Sequence, residues 1–250
     1  MNKLISVLLM LVFIINSVFA QEEKVDTIKQ EEDLTFRYDA LIIPTVLIGY
    51  GFIGLKSGGI KSLNADIRNK VKYNTKPFKI DDYSEYAPVL SVYALNAFGV
   101  KGKHNFKDRT IIIGTAYLIM GSTVFGLKKI TGIERPDGSA NTAFPSGHTA
   151  TAFMGAEFLY QEYKDVSIWY GIAGYVVAAG TGYFRMYNDR HWFTDVVAGA
   201  GIGILSTKIS YWLYPIIKEK IFKGKDKKVE GLTMPFYNGK EAGLNLVLVF

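Results

Sequence analysis

The chain of 250 residues contains no cysteine, which excludes disulfide bonds and thiolate metal sites. It has only three histidines. It also lacks a repeat period and any long run of lysine and arginine with interleaved aromatic residues. The net charge is nevertheless +6 and the pI about 9.2, so an anionic partner is expected. Without a basic run, nucleic acid is the least favoured such partner, and anionic lipids or phosphorylated metabolites fit better. The length suits one substantial core.

The N-terminus is typical of an export signal. Lys3 provides a positive start, residues 4–13 form an apolar run broken only by Ser6, and small residues surround a cleavage position after Ala20. The sequence therefore predicts a signal peptide over residues 1–20, followed by a polar segment over residues 21–38. The alternative is an uncleaved membrane anchor.

Six further apolar segments are each expected to form a helix, because of their length and their alanine, leucine and glycine content. They cover residues 41–55, 87–100, 110–127, 146–160, 166–184 and 193–217. Frequent glycines in the last two segments permit close helix approach, as membrane bundles often require. A full span needs about 20 apolar residues, and several segments are shorter. The sequence predicts an all-α, six-helix bundle embedded in a membrane, with a soluble bundle as the alternative.

Two regions outside these segments have different patterns. The segment over residues 61–86, of which residues 62–72 are weakly amphipathic, suits either a helix along the membrane interface or a solvated connection. After a Lys-rich linker, Asn238-Gly239 is a strong hairpin signal, and the apolar residues 244, 246, 248 and 250 alternate with others. The predicted organisation is a helical domain over residues 39–221, followed by a basic linker and a short C-terminal β-hairpin over residues 222–250.

Three polar clusters stand at the boundaries of the predicted helices. In the last cluster, His191 and Asp195 are four residues apart, so they share one face of a helix that begins near His191. A carboxylate bonded to one imidazole nitrogen fixes the tautomer and leaves the other nitrogen as a nucleophile or base. Arg185 precedes this pair at the end of the fifth helix. Taken alone, a histidine and an aspartate at this spacing are more often a surface pair.

The middle cluster is Pro145-Ser146-Gly147-His148, at the start of the fourth helix. Backbone N–H groups at a helix N-terminus form an anion site, where Gly147 permits close approach of an oxyanion and Ser146 offers its hydroxyl. His148 is a candidate general acid. An ordinary helix cap is the alternative interpretation of this cluster.

The first cluster has Lys128 just after the third helix and Arg135 seven residues later. Both side chains suit phosphate oxygens, and both equally suit the negative end of a helix dipole. An up-down bundle places the loops after the third and fifth helices at one end, so all three clusters are expected to converge there. Together they supply three cations, two histidines, a hydroxyl and a carboxylate. These groups can bind a phosphate and break its ester bond.

The three clusters resemble the signature of the type 2 phosphatidic acid phosphatase superfamily. That signature is Lys, six residues, Arg-Pro; then Pro-Ser-Gly-His; then Ser-Arg, five residues, His, three residues, Asp. The chain matches the first two parts in full and departs in the third only where Phe184 replaces the usual serine. The resemblance covers residues 128–195 by motif and residues 41–217 by the pattern of six helices.

The resemblance implies the helical fold of the acid phosphatases and vanadium haloperoxidases, and a phosphatase that needs neither a metal nor another cofactor. It implies that His191 attacks phosphorus to form a phosphohistidine, oriented by Asp195. It also implies that His148 protonates the leaving oxygen and then activates water. The phosphate-binding residues that it implies are Lys128, Arg135, Ser146, Gly147 and Arg185.

The apolar helices favour a lipid phosphate as substrate, namely phosphatidylglycerol phosphate, undecaprenyl diphosphate, phosphatidic acid or a lipid A phosphate. Three alternatives stand beside this interpretation: a vanadate-dependent, haloperoxidase-like oxidoreductase, a soluble periplasmic acid phosphatase, and a non-enzymatic lipid-binding module. The sequence predicts membrane lipids as partners and does not specify an oligomeric state.

The export signal and the basic character predict the cell envelope of a Gram-negative bacterium. Basic residues between the second and third helices, and the Lys-rich linker after the sixth, indicate cytoplasmic loops and a catalytic end that faces the periplasm. A cleaved signal followed by six crossings places that end in the cytoplasm instead. Of these two conflicting inferences we take the periplasmic one as the prediction, with the inner membrane favoured over the outer.

Overall fold

The computed structural model describes residues 38–72, 78–222, 230–237 and 242–249. The predicted signal peptide and nearly all of the polar segment after it lie outside this part of the chain. A short 3-10 turn, Tyr38–Leu41, precedes the first helix. The α-helices are α1 Ile42–Lys56, α2 Gly58–Val71, α3 Asp81–Ser84, α4 Ala87–Ala97, α5 Phe106–Thr131, α6 Gly147–Tyr163, α7 Ile168–Tyr187 and α8 Phe193–Phe222.

All six apolar segments form helices, α1 and α4 to α8, which confirms the predicted helical bundle. The count of six is too low, because the described residues hold eight α-helices. The two additional helices, α2 and α3, lie where the sequence pattern allowed either an interfacial helix or a solvated connection. α2 is only weakly amphipathic and α3 has only four residues, so both depend on contacts with the bundle that no local pattern reveals.

Two strands lie beyond the helices. They are β1 Glu230–Tyr237 and β2 Ala242–Val249, and they pair antiparallel with Glu230 opposite Val249 and Tyr237 opposite Ala242. The predicted Asn238-Gly239 turn falls between them, outside the described residues.

The bundle is organised around α6, which is buried along most of its length and packs against α4, α5, α7 and α8. The core contains the fully buried side chains of Val92, Ile112 and Phe158. Helices α4, α6 and α8 run in one direction, and α1, α5 and α7 run in the other. Consequently α5 and α7 end where α6 and α8 begin, and this side of the bundle is called the motif end.

The opposite side of the bundle holds the third histidine. The ring of His104 lies in the loop before α5, with Nδ1 2.7 Å from Glu162 Oε1 near the C-terminus of α6. The hydroxyl of Tyr211 on α8 donates to the same oxygen at 2.6 Å. The length of α6 therefore separates His104 from the motif end.

Close approach between α6 and α8 depends on glycine. A Cβ atom at Gly199 would lie 2.5 Å from the carbonyl oxygen of Ser146, and one at Gly203 would overlap the backbone of Ala150 and Met154. Because the obstructing atoms are backbone, no side-chain rotation relieves the overlap. These glycines hold the start of α8 against the start of α6, where two of the polar clusters meet.

We expect Gly203→Ala to lower the free energy of unfolding by about 1–3 kcal/mol, the usual effect of overpacking a well-filled interface. Gly114→Ala on α5 is the matched control, since a Cβ there meets no atom within 4 Å. That variant should be neutral or slightly stabilising, because alanine favours a helix interior over glycine. Thermal unfolding of both variants in detergent measures the difference, and equal melting temperatures would contradict the packing argument.

Three helices of the described residues are long and apolar enough to cross a membrane. They cover Tyr38–Lys56, Phe106–Thr131 and Phe193–Lys220. Large apolar side chains on their outer surfaces are exposed, including Leu118 at 73% and Phe125 at 71%. Such a surface favours contact with lipid over contact with water. Helix α6 has only 17 residues and is surrounded by other helices, so it needs no lipid-facing surface of its own.

Candidate functional site

The middle cluster joins the starts of α6 and α8. Ser146 is the N-cap of α6, where its hydroxyl accepts from the backbone N–H of Thr149 and is hydrogen-bonded to the Thr149 hydroxyl at 2.8 Å. Its own backbone N–H donates to the carbonyl oxygen of Asp195 at 3.0 Å. Ser146 is thus an ordinary helix cap, as the simpler interpretation expected. It also ties the Pro-Ser-Gly-His loop to the last cluster, and Gly147 is the first residue of α6.

His191 and Asp195 lie together at the start of α8, and both are almost completely buried. His191 Nδ1 is 3.5 Å from Asp195 Oδ2, and the same carboxylate oxygen accepts the backbone N–H of Trp192 at 2.9 Å. The backbone of Ala143 also hydrogen-bonds the imidazole ring. The helix start therefore fixes the carboxylate, and the hydrogen bond with Ala143 orients the ring. His191 Nδ1 itself is buried and has no hydrogen-bond partner among the described residues, so Asp195 acts on the ring through its proximity and charge.

The three predicted cations reach this site from separate elements. Lys128 Nζ, near the end of α5, donates to the carbonyl oxygen of Thr142 at 2.5 Å. Arg185 Nη1, near the end of α7, donates to Asp81 Oδ2 at 2.6 Å. Among the described residues, the buried Nε–H groups of Arg135 and Arg185 have no hydrogen-bond acceptor. A buried donor without an acceptor costs about 1–3 kcal/mol, and a bound oxyanion provides the missing acceptor.

The charges of the three cations act on the His191 imidazole. Burial lowers the pKa of His191 well below its usual value, and the charges of Lys128, Arg185 and Arg135 lower that pKa further. The imidazole is therefore neutral at physiological pH, which is the form that attacks an electrophile. The same three positive charges attract a phosphate group to the histidine.

His148 approaches the site from the first turn of α6. Its side chain is 31% exposed, and Nε2 lies 3.1 Å from Asp82 Oδ1. Burial, followed by the charge of Arg185, lowers the pKa of His148, while the hydrogen bond to Asp82 opposes that shift. The charge of Arg185 thus lowers the pKa of both histidines. Because α5 and α7 end where α6 and α8 begin, all eight predicted site residues lie at the motif end.

Sequence reasoning missed three carboxylates at this site, Asp81, Asp82 and Glu85. They lie on α3 and in the turn before α4, in a segment for which the sequence left an interfacial helix and a solvated connection open. The signal that could have found them is the Asp-Asp-x-x-Glu pattern, which places acidic groups on one face of a helical turn.

Sequence reasoning also missed the contribution of α2, which braces the loop before α8. The side-chain amide of Asn64 donates to Thr194 Oγ1 at 2.9 Å, and the backbone N–H of Thr194 donates to Asn64 Oδ1 at 3.2 Å. Farther along α2, Arg68 Nε lies 2.6 Å from Asp189 Oδ1. These contacts hold both sides of His191, because Asp189 precedes it and Thr194 follows it.

Phe184, which replaces the serine of the family signature, packs instead of hydrogen-bonding. Its ring centroid lies 5.5 Å from that of Phe78 and 5.9 Å from that of Tyr187. The aromatic contact with Phe78 fixes the start of the segment that carries the three carboxylates. The departure from the signature therefore has a structural role in this chain.

A cavity of about 340 Å³ adjoins the site beside Asp195. Its lining includes the apolar side chains of Leu55, Ile133 and Trp192, and its polar members are Lys61, Asn64, Glu134, Thr194 and Asp195. Within the described ranges, no group of three or more histidine, aspartate and glutamate side chains is placed to hold a metal ion.

Residues 109–218 match the PAP2 superfamily. The chain carries a PAP2 superfamily domain. This confirms the resemblance on which the sequence analysis relied, and the matched residues contain all eight predicted site residues of the PAP2 domain.

Among characterised proteins, the chain is similar to the lipid A 1-phosphatase of Porphyromonas gingivalis, with 41% identity over 142 residues. The match covers 56% of this chain and 32% of that protein, so the chain spans about a third of its relative's length.

Two solved structures are also similar to this chain. The crystal structure of Aquifex aeolicus LpxE shares 24% identity, covering 60% of this chain and 94% of that one, with a TM-score of 0.47. The structure of the transmembrane PAP2-type phosphatidylglycerolphosphate phosphatase from Bacillus subtilis shares 19% identity, covering 75% and 99% of the two chains, with a TM-score of 0.42.

Proposed function

We propose that this protein is a membrane-embedded phosphatase that hydrolyses lipid phosphate monoesters or diphosphates through a phosphohistidine on His191. The observation that carries the proposal is the convergence of three cations on a buried, neutral imidazole, with two buried arginine Nε–H groups lacking an acceptor. Phosphoryl transfer needs positioning and charge neutralisation above all, and this arrangement supplies both.

In the proposed first step, Lys128, Arg135 and Arg185 bind the non-bridging oxygens, together with the Ser146 hydroxyl and the backbone N–H of Gly147. A ring nitrogen of His191 attacks phosphorus as the bond to the leaving oxygen breaks. His148 gives its proton to that oxygen, so the lipid departs as a neutral alcohol or, from a diphosphate, as a monophosphate. Asp195 stabilises the positive charge that develops on the His191 ring.

In the second step, water attacks the phosphohistidine while His148 accepts one of its protons. The bond between phosphorus and nitrogen breaks, inorganic phosphate leaves, and both histidines return to their starting states. We propose that the three cations perform the neutralisation for which other phosphatases use metal ions. This mechanism requires no cofactor.

The proposal includes a lipid phosphate as the substrate. The exposed apolar surfaces of the long helices favour a substrate that is itself in the membrane. The candidates are phosphatidylglycerol phosphate, undecaprenyl diphosphate, phosphatidic acid and lipid A phosphates. The 41% sequence identity with a lipid A 1-phosphatase over 142 residues supports lipid A phosphates among these candidates.

We further propose that residues 39–221 form the catalytic domain, with α1 and α4 to α8 as its six bundle helices, and that residues 1–20 are a signal peptide. A C-terminal hairpin over the end of residues 222–250 completes the proposed organisation. We propose that the catalytic end faces the periplasm of a Gram-negative cell, because the loop with Lys101 and Lys103 lies at the opposite end of the bundle. Since a cleaved signal followed by six crossings would reverse this orientation, the proposal requires that the six bundle helices do not all cross the membrane.

We expect the purified protein in detergent to release inorganic phosphate from at least one of these four lipids, with a higher kcat/KM than for a water-soluble ester. Release should be unchanged by EDTA, because no step uses a metal ion. The measurement is initial phosphate release with and without chelator on the whole panel. Release that disappears with EDTA and returns with Mg²⁺ would contradict the mechanism, and a preference for the soluble ester would contradict the substrate class.

A further inference from the structure

We propose that Asp82 and Glu85 are positioning residues, which hold the His148 imidazole as the proton donor to the leaving group. The inference deepens the proposed function and rests on it. It assigns a task to two side chains that lie outside the three motifs.

Both carboxylates approach the same nitrogen of the His148 ring. His148 Nε2 lies 3.1 Å from Asp82 Oδ1 and 3.5 Å from Glu85 Oε1. A carboxylate bonded to one ring nitrogen fixes the orientation of an imidazole and favours its protonated form. The proposed reaction needs this form in its first step, because the proton of the imidazolium moves to the leaving oxygen as the bond from phosphorus breaks.

The carboxylates have a fixed position because their segment is anchored on α7. The side chain of Asn188 accepts the backbone N–H of Phe78 at 3.0 Å and donates to the carbonyl oxygen of Phe78 at 2.9 Å. The hydroxyl of Ser84 is hydrogen-bonded to that of Thr181 at 2.7 Å. Anchors at both ends of the segment therefore place Asp82 and Glu85 relative to His148.

The surroundings of His148 explain why such residues are needed. Burial and the charge of Arg185 both lower the pKa of His148, which disfavours the imidazolium. Asp82 and Asp81 raise that pKa and so counteract the arginine. The groups that face His148 or its carboxylate partners are Asp81, Asp82, Glu85, Tyr86, Tyr117 and Arg185.

Glu85 differs from Asp82 in its environment. It is buried, whereas the Asp82 side chain is 49% exposed, and burial raises the pKa of Glu85 to about 7. Two different partners therefore act on the ring, one an exposed carboxylate and the other a carboxyl that titrates in the physiological range. We expect Asp82 to contribute most of the charge and Glu85 to contribute mainly orientation.

The test compares two short esters that differ in how much they need a proton donor. 4-Nitrophenyl phosphate has a good leaving group that departs without a proton, whereas hexyl phosphate releases a poor one. Asp82→Asn and the double variant Asp82→Asn/Glu85→Gln should lower kcat/KM for hexyl phosphate roughly 10- to 100-fold, which is part of the contribution of a positioned general acid. For 4-nitrophenyl phosphate the same variants should change kcat/KM less than about 3-fold.

The pH profile gives a second readout that a purely structural role would not produce. The first step requires protonated His148, so kcat/KM for hexyl phosphate falls as pH rises through its pKa. Removing a carboxylate lowers that pKa further, and the alkaline limb should therefore move to lower pH. The matched control is Asp165→Asn, because Asp165 is exposed and lies at the opposite end of the bundle. This variant should leave kcat/KM for both esters and the alkaline limb of the pH profile unchanged.

Equal losses on both esters, or an alkaline limb that stays in place, would overturn the inference and indicate a structural role for the carboxylates. Unchanged rates on both esters would overturn it as well. Melting temperatures in detergent show whether a variant is folded, and the ratio of the two rates within each variant is independent of the folded fraction. Absence of phosphate release by the unmodified protein would instead overturn the proposed function.

Discussion

His191→Ala should lower kcat for phosphate release by about 10⁴-fold or more, in the range that follows removal of a catalytic nucleophile. The ring forms the covalent bond to phosphorus in the proposed mechanism, so its loss removes the intermediate. The nearby Ser146 hydroxyl does not replace it, because this hydroxyl caps α6 and is bonded to Thr149. The binding site for phosphate remains, so KM should change far less than kcat.

Two measurements check this prediction. Initial rates on the best lipid substrate give kcat, and brief incubation with a substrate labelled in its phosphate shows whether an acid-labile, base-stable phosphoenzyme forms. His104→Gln is the control, because His104 lies at the opposite end of the bundle and glutamine can still bond Glu162. A His191→Ala protein with more than a tenth of the normal kcat, or with the same phosphoenzyme, would exclude His191 as the nucleophile.

The convergence of the motif residues could be anticipated because each cluster stands at a helix boundary. Consecutive helices of an up-down bundle alternate in direction, so the end of α5, the start of α6 and the end of α7 share one side. The His191–Asp195 pair follows from helical spacing alone. Helix boundaries and their alternation were therefore sufficient to place residues as far apart as Lys128 and Asp195 in one site.

The acidic segment could not be anticipated in the same way. Asp81 and Arg185 are separated by 104 residues, and Asp82 and His148 by 66. No periodicity connects such pairs, because individual hydrogen bonds and the ring contact between Phe78 and Phe184 hold the segment on α7. Helix α2 is a similar case, since its weak amphipathic pattern does not reveal that Asn64 binds the backbone of Thr194.

The sequence predicted a membrane-embedded bundle of six helices, and three of the described helices are long and apolar enough to cross a membrane. Run length identifies segments that are apolar, but it does not distinguish a helix in contact with lipid from one surrounded by protein. Helix α6 is apolar because α4, α5, α7 and α8 enclose it, whereas α5 is apolar because much of its surface is exposed. Only the second kind of helix requires the full length of a membrane span.

Arg185→Ala is expected to lower kcat/KM by about 10²–10³-fold, the usual effect of removing a donor that stabilises charge in the transition state. The arginine bonds Asp81 through Nη1 and has a buried Nε–H without an acceptor among the described residues, so one side chain serves both a carboxylate and a phosphate. Arg185→Lys should recover only part of the loss, because a single ammonium group cannot reproduce the planar fork. Steady-state rates of both variants test these values.

Truncation of Arg185 also leaves Asp81 as a buried, uncompensated carboxylate, which destabilises a protein by about 3–5 kcal/mol. The double variant Arg185→Ala/Asp81→Asn separates the two effects, because it removes the unpaired charge and should restore the melting temperature without restoring activity. Arg190→Lys, at a half-exposed arginine paired with Asp137, is the control and should change kcat/KM less than about 3-fold. If the double variant regains normal kcat/KM, Arg185 serves only to neutralise Asp81 and does not bind the phosphate.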